Sequence, residues 1–371
     1  PGDSRQRQAL DIAGLRERHP HLVILSISPY GRTGPYAERP ATEFTIQAEC
    51  GSTFLRGLAS QPPIYAGGRT TEFLGGTFAA VAALASIRGA QRTGQGEYID
   101  FSLMEVMNIA ATVFIDLMWS MMGRPELPPP FRSVETPSIE PSKDGWVGFN
   151  TNSRQQFDDF LLMIERPDLI GDQELASAWT RLSRIDDWNP IVHNWTRGKT
   201  TAEIIELAGL LRIPVAQVNN GKTVLEQEQF QARGVYESIP GSDFRQPRPP
   251  YRINGQRIKP LTTAPGLGEH AGKIEARDRQ APTASTPSPQ ELPLHGLRVL
   301  DATSWWAGPA ATHMLASLGA DVIHVESHQK LDGGRTVVAD ASADHWWERS
   351  HLHNGINTNK RSLTLDFKTE R

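Results

Sequence analysis

The stretch GLRVLDATSWWAGPAATHMLASLGADVIHVE, from Gly296 to Glu326, decides the fold of this sequence. GLRVLDAT predicts a strand, GPAATHMLASLG a helix, and DVIHVES a second strand. Pro309 in the first helical turn and Gly319 just after the last turn are typical of helix boundaries. A strand, a crossover helix and a second strand predict a right-handed βαβ unit, which begins a Rossmann-like, doubly wound parallel sheet.

The residues at the start of the chain show the same alternation. The apolar run HLVILSIS, from His21 to Ser28, has the length of a strand covered on both faces. FLGGTFAAVAALASIR, from Phe73 to Arg88, carries small residues at helical spacing, and GEYIDFSLME, from Gly96 to Glu105, predicts another strand. VMNIAATVFIDLMWSMM, from Val106 to Met122, predicts a buried helix. We therefore assign residues 1–123 to a large α/β domain.

A second, smaller α+β domain is predicted over residues 124–240, beginning where the composition turns to proline and loops. It contains the strand DGWVGFN, polar-faced helices over 153–211, the short strand IPVAQVN and the helix VLEQEQFQARGV. Residues 241–274 are interpreted as a return segment to the large domain. Residues 275–294, rich in Pro, Ser and Thr, predict a flexible linker, and 295–371 begin a new Rossmann-like unit.

Composition excludes several classes of function. The 371 residues carry 38 basic and 42 acidic side chains, a formal net charge of −4, which provides no electrostatic footprint for nucleic acid or an anionic membrane. The single cysteine, Cys50, favours a reducing compartment. No apolar run approaches the roughly 20 residues of a membrane span, so we expect no membrane partner and a cytoplasmic protein.

Several long motifs resemble those of the class III CoA-transferases, the group of formyl-CoA and carnitine CoA-transferases and α-methylacyl-CoA racemases. They are Gly296–Glu326, NTNKRSLTLDFKT (Asn357–Thr369), SISPYGRTGPYAERP (Ser26–Pro40), QAECG (Gln47–Gly51), RTGQGEYIDFSLME (Arg92–Glu105) and APGLGEH (Ala264–His270). The stretch that opens family members stands here after the linker. We therefore interpret the chain as part of a tandem fusion: a first unit without its beginning, followed by the beginning of a second. A permuted gene is the alternative.

The resemblance implies an enzyme that moves CoA between an acyl-CoA and a small carboxylic acid. Family members use an aspartate that forms anhydride and thioester intermediates, and Glu72 stands in its place. Glu72 is longer by one methylene, and a displacement of about 1 Å at a reacting atom can reduce a rate about 10²-fold. Its alternative role is that of an acid stabilised at a helix N-terminus. Thr42 and Glu43 replace the His-Asp pair of the racemases, and Thr42 is no general base near neutral pH.

The resemblance also implies where CoA binds. The turn SWWAGP, where the family lines its active site, contains Trp306, Ala307 and Gly308, and a helix N-terminus there favours negative charge. The double tryptophan could equally serve core or interface packing. Further contacts are implied for Arg335 and for Asn359, Lys360 and Arg361 in NTNKRS. His351 and His353 lack a completing metal ligand, so no metal is expected.

Three interpretations of the parent protein stay open. The first is a CoA-transferase built as an interlocked homodimer, or as the corresponding pseudo-dimer within one fused chain. The second is a non-catalytic CoA-binding or scaffold half, with the nucleophile in the second unit. The third is CoA-linked racemase or lyase chemistry. An NAD-dependent dehydrogenase is excluded, because ATSWWAGPA lacks the glycine-rich turn that pyrophosphate requires. We also expect residues 296–371 to dock against the first unit as a substitute for its missing segment.

Overall fold

The computed structural model describes residues 10–54, 56–58, 60–111, 136–151, 153–257, 262–273, 291–336 and 342–369. Two compact units form: unit 1 comprises residues 1–132 with 278–371, and unit 2 comprises residues 133–277. The predicted linker, and the predicted helix beyond residue 111, lie largely outside the described residues.

The first segment of unit 1 alternates helices and strands as predicted. Its elements are α1 (Ile12–Arg18), β1 (Ile24–Ser28), α2 (Glu43–Glu49), α3 (Thr70–Thr93), β2 (Tyr98–Ser102) and α4 (Leu103–Ala111). Strands β1 and β2 are parallel, with Ile24 opposite Tyr98. Helix α3 is longer than the predicted Phe73–Arg88, and it ends at Gly94, whose φ of 73° closes the last turn.

Unit 2 is a mixed α/β unit with its own core. Its strands are β3 (Ile139–Pro141), β4 (Trp146–Phe149), β5 (Val215–Gln217), β6 (Tyr236–Ser238), β7 (Arg245–Pro247), β8 (Arg252–Ile253) and β9 (Gln256–Arg257). Its helices are α5 (Arg154–Met163), α6 (Gln173–Ala176), α7 (Ala178–Ser183), α8 (Ile185–Thr196), α9 (Thr201–Leu210) and α10 (Glu228–Ala232). Strands β3, β4 and β5 form an antiparallel sheet, and Phe160, Trp188 and Ile204 lie in the core beside it.

Residues 241–274 differ from the predicted return to the large domain, because they group with unit 2. Local bonding explains this. Strand β7 pairs with β6, and the guanidinium of Arg248 donates to the carbonyl oxygens of Gly234 and Arg233 at 2.9 and 3.0 Å.

The last segment of unit 1 contains the βαβ unit. Its elements are β10 (Arg298–Asp301), α11 (Ala307–Ser317), β11 (Asp321–Ser327), α12 (His351–Ile356) and β12 (Arg361–Leu365). The three strands are parallel, in the order β10-β11-β12, which confirms the strand, helix, strand prediction. Gly319 has a φ of 99° just after the helix. The strand order does not reverse within the described residues, so the doubly wound sheet stays a prediction.

The two segments of unit 1 pack against each other at α3. Ala85 lies in one apolar cluster with Leu294 and Ala316, and a Cβ on Gly89 would lie 3.3 Å from the backbone of Pro293. Arg92 pairs with Glu291 at 2.9 Å. This packing agrees with the expectation that the second segment docks against the first.

Helix α3 is also long and apolar enough to span a membrane, judged only by its 24 residues and by the mean hydropathy of an 18-residue stretch within it. The expectation that no segment approaches such a span does not hold for α3. Core helices of soluble proteins meet the same criterion, and α3 has the small-residue face that packs against residues 291–294.

Two glycines in the first segment of unit 1 test the close approach of the residues that precede β1 and β2. A Cβ on Gly96 would lie 2.1 Å from the carbonyl oxygen of Leu22, whereas a Cβ on Gly76 of α3 meets no atom within 4 Å. Gly96→Ala should lower the free energy of unfolding by about 1–3 kcal/mol. Gly76→Ala should raise it by about 1 kcal/mol through helix propensity. Chemical denaturation followed by circular dichroism measures both, and equal effects of the two substitutions would contradict the close approach of Gly96 to Leu22.

Candidate functional site

A cleft of about 630 Å³ opens beyond the carboxyl ends of the parallel strands β10 and β11. In open α/β sheets, ligands bind at this edge. The residues that line it come from the turn after β10, the end of β11 with the loop that follows, and the segment after β12: Ala302, Thr303, Ser304, Trp305, His324, Val325, Glu326, Ser327, Gln329, Lys330, Leu331, Asp332, Gly333, Phe367 and Lys368.

The cleft combines aromatic rings with two cations. Trp305 and Phe367 are exposed aromatic side chains, and Lys330 and Lys368 are exposed lysines. No ion pair joins either lysine to a carboxylate in the part of the chain that the structure describes. Aromatic faces and free ammonium groups suit a ligand with a planar base and phosphates.

A buried carboxylate lies beneath this cleft. Asp301, at the carboxyl end of β10, is 1% exposed. One oxygen accepts hydrogen bonds from the backbone and hydroxyl of Thr303. The other lies 2.7 Å from the Thr312 hydroxyl, 3.0 Å from Lys360 Nζ and 3.2 Å from His324 Nδ1. Burial acts to raise the pKa of Asp301, but the bonds from Thr303, Thr312 and Lys360 outweigh it and hold the pKa well below the ordinary value.

Lys360 points into the protein. Its side chain is 2% exposed, and Nζ donates to Asp301 at 3.0 Å and to the Pro309 carbonyl and the Asn357 side chain at 2.8 Å. Three bonds use the three protons of an ammonium group. Burial lowers the pKa of Lys360, and the bond to Asp301 opposes that shift. In this structure the ammonium group of Lys360 thus bonds within the protein and holds the sheet edge together, and its contact with CoA stays a prediction.

Arg361 points elsewhere. It forms two 2.8 Å bonds to Asp321, which also pairs with Arg298 at 3.0 Å. Asn359, two residues before Arg361, is exposed with a φ of 62°. The predicted basic pair is thus divided: Lys360, in the turn before β12, bonds the buried Asp301, whereas Arg361, the first residue of β12, bonds Asp321. Contact of these residues with CoA stays a prediction.

Arg335 is likewise engaged inside the protein. Its Nε contacts both oxygens of Glu326 at 2.9 and 3.0 Å, and another guanidinium nitrogen donates to the Trp347 carbonyl. Burial acts to raise the pKa of Glu326, but the bonds from Arg335 and from the Asp332 backbone, together with the charge of Arg335, outweigh it and lower the pKa. A direct contact of Arg335 with a nucleotide would require this buried pair to open.

The predicted residues of the SWWAGP turn lie beside the cleft. Trp306 precedes α11 and is exposed, and Ala307 and Gly308 form the first turn of that helix. A Cβ on Gly308 would lie 2.3 Å from Thr303, so only glycine lets the helix approach the residue that bonds Asp301. None of these three lines the cleft, whereas the neighbouring Trp305 does.

Glu72 lies in the first turn of α3 and does not line the cleft. Its side chain is 47% exposed and contacts Arg69 at 2.6 Å. The neighbouring acid Glu43 accepts hydrogen bonds from the backbone N–H groups of Thr71 and Glu72, at 2.9 and 3.3 Å. Burial acts to raise the pKa of Glu43, but the bonds from Thr71 and Gln47 outweigh it and lower the pKa. Glu43 therefore caps α3.

Three residues of this site were not found by sequence reasoning: Lys330, Lys368 and Asp332. A signal was present, because each follows a strand of a parallel sheet, and side chains at the carboxyl ends of such strands meet at one edge. No three His, Cys, Asp or Glu side chains among the described residues are arranged to hold a metal ion.

The sequence comparisons identify the family. The sequence profile of CoA-transferase family III matches residues 2–271 and 294–371. The chain belongs to CoA-transferase family III. A relative from Mycobacterium tuberculosis named "Probable CoA-transferase Rv1866" is 28% identical over 362 residues, which cover 93% of this chain and 45% of the relative. The "Succinate--glutarate CoA-transferase" of Agrobacterium fabrum is 23% identical over 290 residues, covering 77% of this chain and 72% of that protein.

A solved structure of this fold comes from Brucella suis, a CAIB/BAIF family protein. It matches with a TM-score of 0.60 and 24% identity, covering 72% of this chain and 71% of the other. The mixed α/β fold is therefore that of the CAIB/BAIF proteins. The chain spans about half the length of its Mycobacterium tuberculosis relative.

The Asp301–Lys360 pair yields a stability prediction. Asp301→Asn leaves a buried ammonium without its carboxylate and should lower the free energy of unfolding by about 3–5 kcal/mol. Lys360→Met should lower it by a similar amount, because a buried carboxylate stays unpaired. The double variant should lose less than the sum of the two. Additive losses in chemical denaturation would contradict direct coupling.

The same pair predicts a pH dependence. The folded-state pKa of Asp301 is lowered. The carboxylate therefore contributes fully to the free energy of unfolding above the unfolded-state pKa of about 3.9, and this contribution is lost as the pH falls below that value towards the folded-state pKa. The stability difference between the wild type and Asp301→Asn should therefore shrink below about pH 4. Chemical denaturation at a series of pH values measures it, and a difference that grows on acidification would contradict this assignment.

Proposed function

We propose that this chain is part of a CoA-transferase that moves CoA between an acyl-CoA and a carboxylic acid. The observation that carries the proposal is the cleft beyond β10 and β11, in a chain of CoA-transferase family III. The names of the Agrobacterium and Chloroflexus relatives, which are succinate–glutarate and succinyl-CoA–malate CoA-transferases, support dicarboxylic acids and their CoA thioesters as the substrate class.

In this proposal the cleft binds the nucleotide part of CoA. Lys330 and Lys368 lie at its rim and attract the phosphates, and the aromatic wall contacts the base. The buried bonds of Asp301 and Glu326 keep the underlying strand ends in place. The binding groups are therefore set on a rigid edge before the ligand arrives.

The transfer itself requires a carboxylate nucleophile. A carboxylate attacks the thioester carbonyl and releases the CoA thiolate, which leaves a mixed anhydride. The thiolate then attacks the enzyme's own carbonyl of that anhydride, so the acid is released and CoA is held as an enzyme thioester. The acceptor acid reverses these steps. Glu72 is the candidate in this chain, and its pairing with Arg69 must open for it to attack.

The second candidate is that this unit is the CoA-binding or scaffold half of a fused enzyme, and that the nucleophile belongs to the second unit. The exposed Arg69–Glu72 pair favours this candidate, because it stabilises the carboxylate as a helix-terminal acid. The longer Mycobacterium tuberculosis relative supports a tandem arrangement, in which two units form a pseudo-dimer within one chain.

Racemase or lyase chemistry has less support. Thr42 caps α2: its hydroxyl accepts a hydrogen bond from the backbone of Thr45, and the Thr45 side chain accepts one from the Thr42 backbone. A hydroxyl used in this way offers no base for proton abstraction.

Removal of the rim lysines tests the cleft. Lys330→Ala and Lys368→Ala should each weaken CoA binding about tenfold, through loss of a charge-assisted contact, and should reduce the salt dependence of binding. Isothermal titration calorimetry measures both. Lys222→Ala, which removes an exposed lysine of unit 2, is the control. If both rim variants bind CoA as tightly as the control, CoA does not occupy this cleft.

Covalent trapping separates the two candidates. The complete protein is incubated with an acyl-CoA, and the site of a CoA adduct is found by mass spectrometry. An adduct on Glu72, absent from Glu72→Gln, supports this unit as the catalytic one. Full thioester exchange by Glu72→Gln, with an adduct only beyond residue 371, supports the scaffold role instead.

A further inference from the structure

Trp305 is an exposed aromatic residue in a strained backbone conformation. Its φ is 70°, in the left-handed region that bulky residues rarely adopt, and its side chain is 49% exposed at the wall of the cleft. Such outliers persist only where the surrounding structure imposes them, and they concentrate at ligand sites.

A buried carboxylate imposes this conformation. The backbone N–H of Trp305 donates to Asp332 Oδ1 at 2.8 Å, and the same oxygen accepts from the N–H of Gly334 at 2.8 Å. The backbone N–H of Asp332 donates to Glu326, which Arg335 holds. The tryptophan is thus connected through a chain of hydrogen bonds to the end of β11.

A glycine provides the space for the ring. A Cβ on Gly333 would lie 2.1 Å from Cε2 and 2.2 Å from Cζ2 of Trp305, closer than any real contact. The indole therefore packs directly against the Gly333 backbone. Since any larger residue would displace the ring, the position of Trp305 depends on Gly333.

These restraints hold an aromatic face at the wall of a cleft that also contains Lys330 and Lys368. A planar ring beside two ammonium groups matches a base linked to phosphates. We propose that Trp305 stacks on the adenine base of CoA, and that Asp332 and Gly333 are positioning residues for its ring. This inference rests on the proposed function, because it requires the nucleotide of CoA in this cleft.

Separate binding of the two halves of CoA tests the proposal. The intact chain is titrated calorimetrically with adenosine 3′,5′-bisphosphate, with pantetheine and with CoA. Trp305→Ala should weaken binding of the bisphosphate and of CoA roughly 5- to 100-fold, the usual range for loss of a base–aromatic stack, and leave pantetheine unchanged. Trp305→Phe should restore most of the affinity.

Trp347 provides the matched control. It is 38% exposed in the same unit, outside the cleft, so Trp347→Ala should not change nucleotide binding. Gly333→Ala keeps the tryptophan but displaces its ring, so it should weaken binding of the bisphosphate as Trp305→Ala does. Gly209→Ala, whose added methyl meets no atom within 4 Å, is the control for that substitution.

Two substitutions, one conservative and one not, test the positioning role of Asp332. Asp332→Asn keeps an oxygen that can accept from Trp305 and Gly334, so it should bind the bisphosphate nearly as the wild type does. Asp332→Ala should lose affinity for the bisphosphate but not for pantetheine. A general loss of folding would weaken binding of both ligands. A loss of affinity for the bisphosphate alone therefore reports the positioning role of Asp332.

The outcomes distinguish failure of the stacking role from failure of the proposed function. If the wild type binds CoA and Trp305→Ala binds the bisphosphate equally well, the stacking role is overturned and the proposed function stands. If Trp305→Ala loses affinity for pantetheine instead, the ring contacts the thioester half of the ligand and the adenine assignment is wrong. If the wild type binds neither CoA nor the bisphosphate, both proposals fail.

Discussion

The carboxylate of Asp301 is the interaction on which the sheet edge depends. It lies buried at the end of β10. Its hydrogen-bond partners come from four elements: Thr303 from the following turn, Thr312 from α11, His324 from β11 and Lys360 from the turn before β12. A charge buried this deeply is tolerated only with full hydrogen bonding and an opposite charge. Because the bonds come from four elements, the carboxylate fixes their relative positions and thereby the floor of the cleft.

This constraint also decides which cations remain exposed beside the cleft. Lys360 forms a buried ion pair with Asp301, Arg361 pairs with Asp321, and Arg335 pairs with Glu326. The cations left at the cleft are Lys330 and Lys368, which follow strands β11 and β12. One set of charges stabilises the fold, and a different set is available to a phosphate. The proposed CoA site therefore depends on the buried pairs without using them as ligands.

The βαβ segment also completes unit 1. Its helix α11 contributes Ala316 to the cluster that contains Ala85 of α3, and Glu291 before it pairs with Arg92. Small residues on α3 permit this approach, since Gly89 lies against Pro293. Helix α11 and residues 291–294 thus cover one face of α3 in this chain.

The sequence by itself determined the strands, the crossover helix with its glycine end and the family, because hydrophobic periodicity, helix boundaries and long motifs are local properties of the chain. It also placed Glu72 at the start of a helix. Tertiary structure alone decided which cations are free, because the burial of Lys360 depends on a carboxylate 59 residues away. It likewise decided that Trp305 lines the cleft, since its ring is positioned by Asp332 and Gly333, 27 and 28 residues later. Pairings between distant residues leave no local pattern.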